Sequence, residues 1–216
     1  MPAIYRNRAE AGRLLSHRLM KYAGRDDVIV LALPRGGVVV AAEIADDLEA
    51  PLDVLVVRKL GTPEDEELAM GAVARDILVL NDEIIWRLGI PRDEIDRVAE
   101  RESQEVDYRE RLYRGGRPPL VVDDKTVVLV DDGLATGATM RAAIAALHEM
   151  SAGKIVVAVP VAAREISESI AHEVDEMVCL STPEPFGAVG SWYDDFSQVE
   201  DETVIILLDR TAKSVA

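Results

Sequence analysis

The chain has 216 residues, of which 49% are apolar, and this suffices for one α/β domain with a substantial core. Its 24 Lys and Arg residues against 40 Asp and Glu residues give a formal net charge of −16, which disfavours non-specific binding to nucleic acid. A single cysteine, Cys179, excludes a disulfide or a cysteine metal site within one chain.

The first segment lacks the pattern of an export signal, which starts with positive charge and continues into a long apolar core. No run of residues approaches the apolar length of a membrane span. We therefore expect a soluble, cytoplasmic protein without a membrane partner. Basic residues crowd this first segment, whereas acidic residues gather later. The basic ones are Arg6, Arg8, Arg13, Arg18, Lys21 and Arg25.

Apolar residues at helical spacing predict a helix over Tyr5–Tyr22. The apolar run Val28–Leu33 predicts the first central strand, and a helical pattern follows the pair Gly36-Gly37. A second buried strand is predicted over Leu52–Val57, which is rich in β-branched residues. The polar segment Gly61–Glu67 contains Gly and Pro, so we expect an exposed, mobile loop there.

Two short runs, Ala69–Val73 and Ile77–Leu80, predict a hairpin. Pro91–Arg114 is dense in opposite charges with few apolar positions, and it predicts a solvated helix that carries ion pairs between successive turns.

The segment Val127–Thr139 carries the most specific pattern in the chain. An apolar strand ends in Asp131 and Asp132, and a loop of small residues and hydroxyls leads into a helix. The N-terminus of that helix offers unpaired N–H groups and a positive dipole end, which bind anions. The two carboxylates would repel an anion, so they face a hydroxyl-bearing part of the ligand. A ribose 5-phosphate has this polarity.

Further strands are predicted over Ile155–Val159 and Met177–Leu180, with a helix around Ile166 and Ile170 between them and a closing helix around residues 204–208. Apolar strands that alternate with helices predict an α/β fold with a central, mostly parallel sheet and helices on both faces. Ligands of such sheets bind beyond the carboxyl ends of the strands.

The Val127–Thr139 segment resembles the signature of the type I phosphoribosyltransferases, and nearly the whole chain is similar to the "predicted phosphoribosyltransferase" group of that family. The resemblance implies the fold of that family, with a core over about residues 26–180 and a small hood from about 1–25 and 181–216. It implies an enzyme that transfers the 5-phosphoribosyl group of 5-phosphoribosyl 1-pyrophosphate (PRPP) to a nitrogenous base, releasing pyrophosphate. Mg²⁺ would arrive with PRPP, and a homodimer is usual in the family.

The resemblance also implies residue roles. Asp131 and Asp132 would hold the ribose hydroxyls, and four side chains are assigned to catalysis: Asp131, Asp132, Arg35 and Lys59. The 5-phosphate would lie in the loop formed by Ala135, Thr136, Gly137, Ala138 and Thr139. Pyrophosphate would contact a second set of residues, Arg35, Gly36, Gly37, Arg58 and Lys59. By analogy, the Pro34–Arg35 peptide bond is expected to be cis.

An aromatic-rich segment follows the last predicted strand. Phe186, and after it Trp192, are candidates to stack on a planar acceptor, while core packing is the alternative interpretation of both. Asp194 is a candidate to approach magnesium–pyrophosphate through water, and no direct metal ligand is predicted. The carboxylates at positions 64, 66 and 67 are candidate proton acceptors, with a solvated charge run as the alternative.

One residue departs from a pattern within the family. Ala135 stands where salvage enzymes for 6-oxopurines place an aspartate, which argues against hypoxanthine or guanine as acceptor. The acceptor therefore stays open. So does a function of another class: a non-catalytic regulatory protein of the same fold that senses PRPP or a nucleotide. A hydrolase that releases pyrophosphate or a base is a third alternative.

Overall fold

Eight strands and seven α-helices form the part of the chain that the computed structural model describes, residues 4–66 and 68–214. The strands are β1 (Val28–Ala32), β2 (Leu52–Val54), β3 (Arg58–Gly61), β4 (Ala69–Ala74), β5 (Ile77–Leu80), β6 (Thr126–Val130), β7 (Lys154–Val161) and β8 (Glu176–Ser181). The helices are α1 (Arg8–Leu19), α2 (Gly36–Leu48), α3 (Asp82–Leu88), α4 (Arg92–Arg114), α5 (Ala138–Glu149), α6 (Arg164–Ala171) and α7 (Asp201–Ser214).

The central sheet contains five parallel strands in the order β2-β1-β6-β7-β8. Every residue of β1 and β6 is buried, because successive side chains point to opposite faces and both faces are covered. Val28 and Val30 enter one core with α1, α2, α4 and α7, while Ile29 and Leu31 enter a second core with α5 and α6. The predicted α/β fold with a mostly parallel sheet is confirmed.

A smaller antiparallel sheet, in the order β3-β4-β5, was only partly predicted. The hairpin of β4 and β5 is confirmed. The second central strand, predicted over Leu52–Val57, is shorter, since β2 ends at Val54. Arg58 and Lys59, which follow the predicted strand directly, belong instead to β3, where Arg58 pairs with Val73 of β4. The apolar run continues through Leu55–Val57 because these residues, which connect β2 to β3, are buried in the two cores.

Helix α4 confirms the prediction over residues 91–114, but the helix is not solvated on all sides. Ile95, Val98, Val106 and Tyr113 recur at helical spacing and are buried, so α4 covers the core beside β3 and β4. Helix α3 was not predicted. It has only seven residues and none of them is fully buried, although Ile84 and Ile85 pack against the core. Such a short segment shows too few turns for a helical period to be recognised in the sequence.

The two terminal segments meet beside the central sheet. Tyr5 forms a parallel bridge with Tyr193, and the backbone N–H of Asp194 donates to the Tyr5 carbonyl at 2.9 Å. The division into core and hood stays a prediction, and residues 1–3, 215 and 216 of the predicted hood lie outside the described part of the chain. Within the described residues, no helix is both long and apolar enough to span a membrane.

Candidate active site

The two carboxylates that follow β6 lie at the carboxyl edge of the central sheet. The backbone N–H of Asp132 donates to Asp131 Oδ1 at 2.8 Å, and Arg8 Nε donates to Asp132 Oδ2 at 2.7 Å. Among the described residues, no protein donor bonds to Asp131 Oδ2 or Asp132 Oδ1. Each carboxylate therefore keeps one oxygen that can accept a hydrogen bond from a ligand hydroxyl.

Burial and mutual repulsion set the charge of this pair. Burial raises the pKa of Asp131 well above its ordinary value, and the neighbouring charge of Asp132 raises it further. Burial also raises the pKa of Asp132, although the hydrogen bond and the positive charge of Arg8 oppose that rise. When both carboxyls are ionised, the pair is a concentrated negative site that favours a partner able to donate hydrogen bonds.

Helix α2 begins against the acid pair, and two glycines make this approach possible. A Cβ atom on Gly36 would lie 1.9 Å from Asp132 Oδ2, and a Cβ atom on Gly37 would lie 2.8 Å from the Val130 carbonyl oxygen and 3.0 Å from Asp131 Cα. The requirement for glycine is steric at both positions. The Pro34–Arg35 bond just before this helix is cis, as expected.

The predicted phosphate loop lies between Asp132 and α5. Leu134 fixes it to the end of β7, because its N–H donates to the Val161 carbonyl at 2.9 Å. Gly137 caps α5 with a left-handed φ of 72°, and a Cβ atom there would meet Ile166 Cγ2 at 2.8 Å. Thr136 and Thr139 are exposed, and the first-turn N–H groups of α5 have no partner within the helix. The loop can therefore bind an anion.

Two of the five candidate pyrophosphate residues, Arg58 and Lys59, line a cleft of about 570 Å³. Arg35, Gly36 and Gly37 do not line it, although the neighbouring Pro34 does. Pro34 of the cis bond, Arg58 and Lys59 of β3, and Thr139 of the phosphate loop line this cleft together. These residues come from three separate segments, and the tertiary structure brings them together. Arginines of α4 also line the cleft, namely Arg97, Arg101 and Arg109.

Two of the predicted cationic groups lie against protein carboxylates. Arg58 Nε donates to Glu102 Oε2 at 2.8 Å, and Glu102 is a buried residue of α4. Arg35 Nη1 lies 3.8 Å from Asp201 Oδ1 at the start of α7. Both guanidiniums are partly exposed, so an anion in the cleft can compete with these carboxylates.

The predicted loop after β3 is the turn that leads to β4. Its backbone is held by Thr62, whose N–H donates to the Leu68 carbonyl and whose hydroxyl donates to the Asp65 carbonyl, both at 2.9 Å. Glu64 and Glu66 are exposed, and Glu66 lines the cleft. Glu67, the third candidate proton acceptor, lies outside the described residues.

The two candidate stacking residues have different environments. Trp192 is 5% exposed in a core cluster with Tyr5, Val161 and Tyr193, and its Nε1 donates to the Phe186 carbonyl at 2.9 Å. The core-packing interpretation therefore holds for Trp192, since its ring has no free face for an acceptor. Phe186 lies at the edge of this cluster and is half-buried.

Three residues of the site were not singled out by the sequence. Arg8 binds Asp132 as described, and its guanidinium lies 3.7 Å above the ring of Phe196. The Tyr193 hydroxyl donates to the Asp132 carbonyl at 2.6 Å. Arg8 belongs to the basic N-terminal segment, but nothing in its spacing distinguishes it from Arg6 or Arg13, which form surface ion pairs.

No cluster of three or more His, Cys, Asp or Glu side chains is placed to hold a metal ion in the described parts of the chain. The candidate for a water-mediated contact, Asp194, is exposed beside Tyr193. A single exposed carboxylate suits a contact through water better than a direct coordination site.

Comparison with known proteins shows the family to which the chain belongs. A family model described as phosphoribosyl transferase domain matches residues 2–197. A Mycobacterium tuberculosis H37Rv protein, provisionally named a phosphoribosyl transferase, is 43% identical over 214 residues, which are 99% of this chain and 48% of that protein. The chain thus spans about half the length of the curated relatives it matches first.

Two further relatives are informative. The crystal structure of TT1426 from Thermus thermophilus has a TM-score of 0.87 and 42% identity, covering 94% of this chain and 97% of that chain. A protein from Haemophilus ducreyi named Bifunctional protein PyrR is 26% identical over 196 residues, covering 86% of each chain.

Proposed function

The chain belongs to the phosphoribosyl transferase domain family, and from this premise we propose that it transfers the 5-phosphoribosyl group of PRPP to a nitrogenous base or a related acceptor, with release of pyrophosphate. The whole proposal depends on one observation, the position of Asp131 and Asp132. The pair has two oxygens without a donor among the described residues. It lies between the N-terminus of α2, where two glycines allow a close approach, and the phosphate loop at the N-terminus of α5. PRPP carries its ribose diol between a 5-phosphate and a 1-pyrophosphate. This order matches a pair of hydrogen-bond acceptors that lies between two helix N-termini.

We assign the ribose diol to Asp131 and Asp132 and the 5-phosphate to the loop Ala135–Thr139. The 2- and 3-hydroxyls would donate to Asp131 Oδ2 and Asp132 Oδ1, the oxygens without a protein donor among the described residues. Fixing the sugar at both ends orients its anomeric carbon toward the cleft and removes the entropy of positioning from the barrier.

Pyrophosphate is assigned to the cleft, where Arg58, Lys59 and the loop of Arg35, Gly36 and Gly37 would contact it. When the bond from the anomeric carbon to pyrophosphate breaks, negative charge grows on the leaving group and the ribose gains oxocarbenium character. Guanidinium groups and backbone N–H donors at the cleft would stabilise that charge. Arg35 and Arg58 would exchange their carboxylate partners, Asp201 and Glu102, for the leaving group. Attack by a nitrogen of the acceptor completes the transfer, and the acceptor's proton leaves to a base of the site or to water.

Mg²⁺ is proposed as the cofactor, bound with PRPP. Phosphate and ribose oxygens are hard ligands of the kind that Mg²⁺ prefers, and the ion usually keeps several waters. Asp194 would contact one such water. When bound, Mg²⁺ supplies positive charge to the pyrophosphate.

The acceptor is the least defined part of the proposal. Phe186 is the remaining candidate to stack on its ring, because Trp192 is buried. Ala135 offers only a methyl group where an aspartate would contact a 6-oxopurine, so other bases take priority in a screen. A homodimer is likewise proposed from the resemblance to the family.

The test is a pyrophosphate-release assay with PRPP and Mg²⁺ across a panel of purine, pyrimidine and pyridine bases. We expect release that depends on one base, together with calorimetric heat from PRPP alone. A protein that gives no heat with PRPP or with a nucleoside monophosphate at millimolar Mg²⁺ would contradict the proposal.

A second candidate function is a sensor of PRPP or a nucleotide without catalysis. The observation in its favour is that Arg35 and Arg58 already lie against Asp201 and Glu102, so ligand binding would exchange ion pairs with two other helices. Heat from PRPP without pyrophosphate release from any base of the panel would favour the sensor. Pyrophosphate release without any base would instead identify a hydrolase.

A further inference from the structure

We propose that Arg8 is a positioning residue of this site: it holds the Asp132 carboxylate in the orientation and charge state that binding of the ribose diol requires. The inference rests on the proposed function, because it gives Arg8 a part in the same ribose site. It concerns a residue 124 positions away from its partner in the sequence.

The contact between the two residues is direct and shielded from solvent. Arg8 Nε donates to Asp132 Oδ2 at 2.7 Å, and the two side chains are only 10% and 16% exposed. Exposed ion pairs contribute little because water and salt screen them. A buried, charge-assisted hydrogen bond is directional and is costly to break from one side, since it leaves the other charge without a partner.

The guanidinium of Arg8 is itself fixed by the aromatic segment. Its Nη1 donates to the Ser197 carbonyl at 2.9 Å, and its central carbon lies 3.7 Å from the centroid of the Phe196 ring. These contacts leave Nε aimed at Asp132. Tyr193 of the same segment donates to the Asp132 carbonyl at 2.6 Å, so the backbone and the carboxylate of Asp132 are held from one side of the molecule.

This arrangement decides which oxygen of Asp132 faces the ligand. Arg8 engages Oδ2, and the missing side chain of Gly36 leaves room for that same oxygen, since a Cβ atom there would lie 1.9 Å from Oδ2 and 3.0 Å from Arg8 Nε. Oδ1 is the oxygen left for a hydroxyl of ribose. Without Arg8 the carboxylate could rotate, and a single orientation would no longer be favoured.

Arg8 also sets the charge of the pair. The groups that face the Asp132 carboxylate are the Asp131 carboxylate from its own loop, the Tyr193 hydroxyl from the aromatic segment and the Arg8 guanidinium from α1, while α2 presents the uncharged Gly36. Arg8 is the cation among these groups. Without it, two adjacent buried carboxylates repel each other, one of them retains a proton, and a protonated carboxyl is a poor acceptor for a hydroxyl.

The test compares Arg8→Gln and Arg8→Lys with Arg13→Gln as a matched control. Arg13 lies on the same helix and forms a surface ion pair with Glu43, so its loss tests a general effect of removing positive charge. PRPP binding is measured by calorimetry with Mg²⁺ between pH 5.5 and 8.5. In parallel, ¹³C NMR follows the carboxyl of Asp132 without ligand, with Asp132→Asn to assign its signal.

For Arg8→Gln we expect the titration midpoint of Asp132 to rise by about one to three pH units, which is the usual effect of losing an adjacent opposite charge. PRPP affinity at pH 7 should fall about tenfold or more and recover in part toward pH 8.5. Arg8→Lys restores the positive charge but not the fork of donors. In this variant the titration midpoint of Asp132 should return close to the wild-type value, while the affinity for PRPP stays intermediate. Arg13→Gln should match the wild type in both measurements.

The outcomes separate the two proposals. No PRPP heat with the wild type contradicts the proposed function, while the NMR titration still decides whether Arg8 controls Asp132. PRPP binding by the wild type with identical affinity and midpoint in Arg8→Gln and Arg13→Gln overturns the role of Arg8. If Arg8→Gln does not fold, Arg8→Lys and Phe196→Leu decide: PRPP affinity equal to that of the control in both variants overturns it as well.

Discussion

Asp131 and Asp132 are neighbours in the sequence but have different surroundings in the folded chain. Asp131 accepts a hydrogen bond from the backbone of its neighbour, whereas Asp132 binds the guanidinium of Arg8. Both carboxyls are buried and both pKa values are raised. The two acids therefore contribute differently to binding and to stability, and single substitutions can distinguish these contributions.

Replacing Asp132 by Asn keeps the shape of the side chain but removes its charge and weakens its acceptor. A hydrogen bond to a charged group contributes about 1.5–3 kcal/mol, so we expect PRPP affinity to fall by roughly 10- to 100-fold. Calorimetry at pH 7.5 measures this. Asp123→Asn, at an exposed acid before β6, is the control and should bind like the wild type. Unchanged affinity in Asp132→Asn would refute the ribose assignment.

Replacing Asp131 by Asn should stabilise the protein while it weakens PRPP binding. Burial raises the pKa of Asp131 in the folded state. The folded wild type is therefore more stable at low pH, where Asp131 is protonated, and it loses that stability as pH rises through the raised pKa. Asn can still accept the N–H of Asp132 and carries no charge, so we expect the free energy of unfolding to be higher than that of the wild type at pH 7.5, with a difference that shrinks toward pH 4. Urea unfolding at both pH values measures it. A variant less stable than the wild type at pH 7.5 would contradict this account.

At the scale of elements, the site is formed where helices begin. Helix α2 approaches the acid pair through Gly36 and Gly37, and α5 begins at the phosphate loop. Both helices follow strands of the central sheet, so their N-termini lie at one edge of that sheet. The aromatic segment then closes the other side of the acid pair through Tyr193 and Phe196.

Gly36→Ala should weaken PRPP binding at least tenfold, because the new Cβ atom would lie 1.9 Å from Asp132 Oδ2 and must displace that carboxylate. Calorimetry compares it with Gly24→Ala. Gly24 has a φ of 67° and open space around its Cα, so alanine there adds backbone strain of about 1–2 kcal/mol without crowding the site. We expect wild-type affinity in this control. Wild-type affinity in Gly36→Ala would show that the helix start can shift freely.

Trp192→Ala should destabilise the protein by about 3–5 kcal/mol, since a large buried ring and its hydrogen bond to Phe186 are lost. Phe186→Ala, at a half-buried position, should cost clearly less. Urea unfolding monitored by circular dichroism measures both. If Trp192→Ala unfolded like the wild type and instead altered the KM of an acceptor, the stacking interpretation of Trp192 would return.

At the scale of the whole molecule, the net charge of the chain differs in sign from the side chains that gather at one side of the cleft. The chain carries a formal net charge of −16, yet cationic side chains of β3 and α4 gather at the cleft beside the phosphate loop. On α1, Arg8 binds Asp132 and Arg13 binds Glu43, while Arg18 is exposed. The arginines at the cleft are likewise held in ion pairs, Arg58 and Arg101 with Glu102, Arg97 with Glu94 and Arg109 with Glu105.

We therefore expect no mobility shift of genomic DNA or RNA fragments at about 100 mM salt, with or without PRPP and Mg²⁺, since non-specific binding needs several phosphate contacts from Lys and Arg. Electrophoresis at micromolar protein measures this, with a basic nucleic-acid-binding protein as positive control. A shift that appears only with PRPP would contradict this expectation and favour the regulatory function.

Local patterns in the sequence predicted most of the elements. The runs around Val28 and Val127 have the composition of buried strands, and they predicted the parallel sheet. The opposite charges in Pro91–Arg114 are spaced for ion pairs between successive turns, and they predicted the long helix. The pattern failed at two places. Leu55–Val57 has the composition of a strand because it is buried in the two cores, and α3 was missed because it has only seven residues and none of them is fully buried.

The sequence by itself determined most of the order of strands and helices, with β3 and α3 as exceptions, and it determined the acid pair, the pair Gly36-Gly37 and the small-residue loop before α5. Each of these depends on residues within one turn or one strand. Only the tertiary structure decided that Arg8 binds Asp132, that Glu102 and Asp201 lie against Arg58 and Arg35, and that Trp192 is core. These contacts join residues far apart in the chain. Periodicity carries no information on them, since it reports which face is buried and not what lies against it.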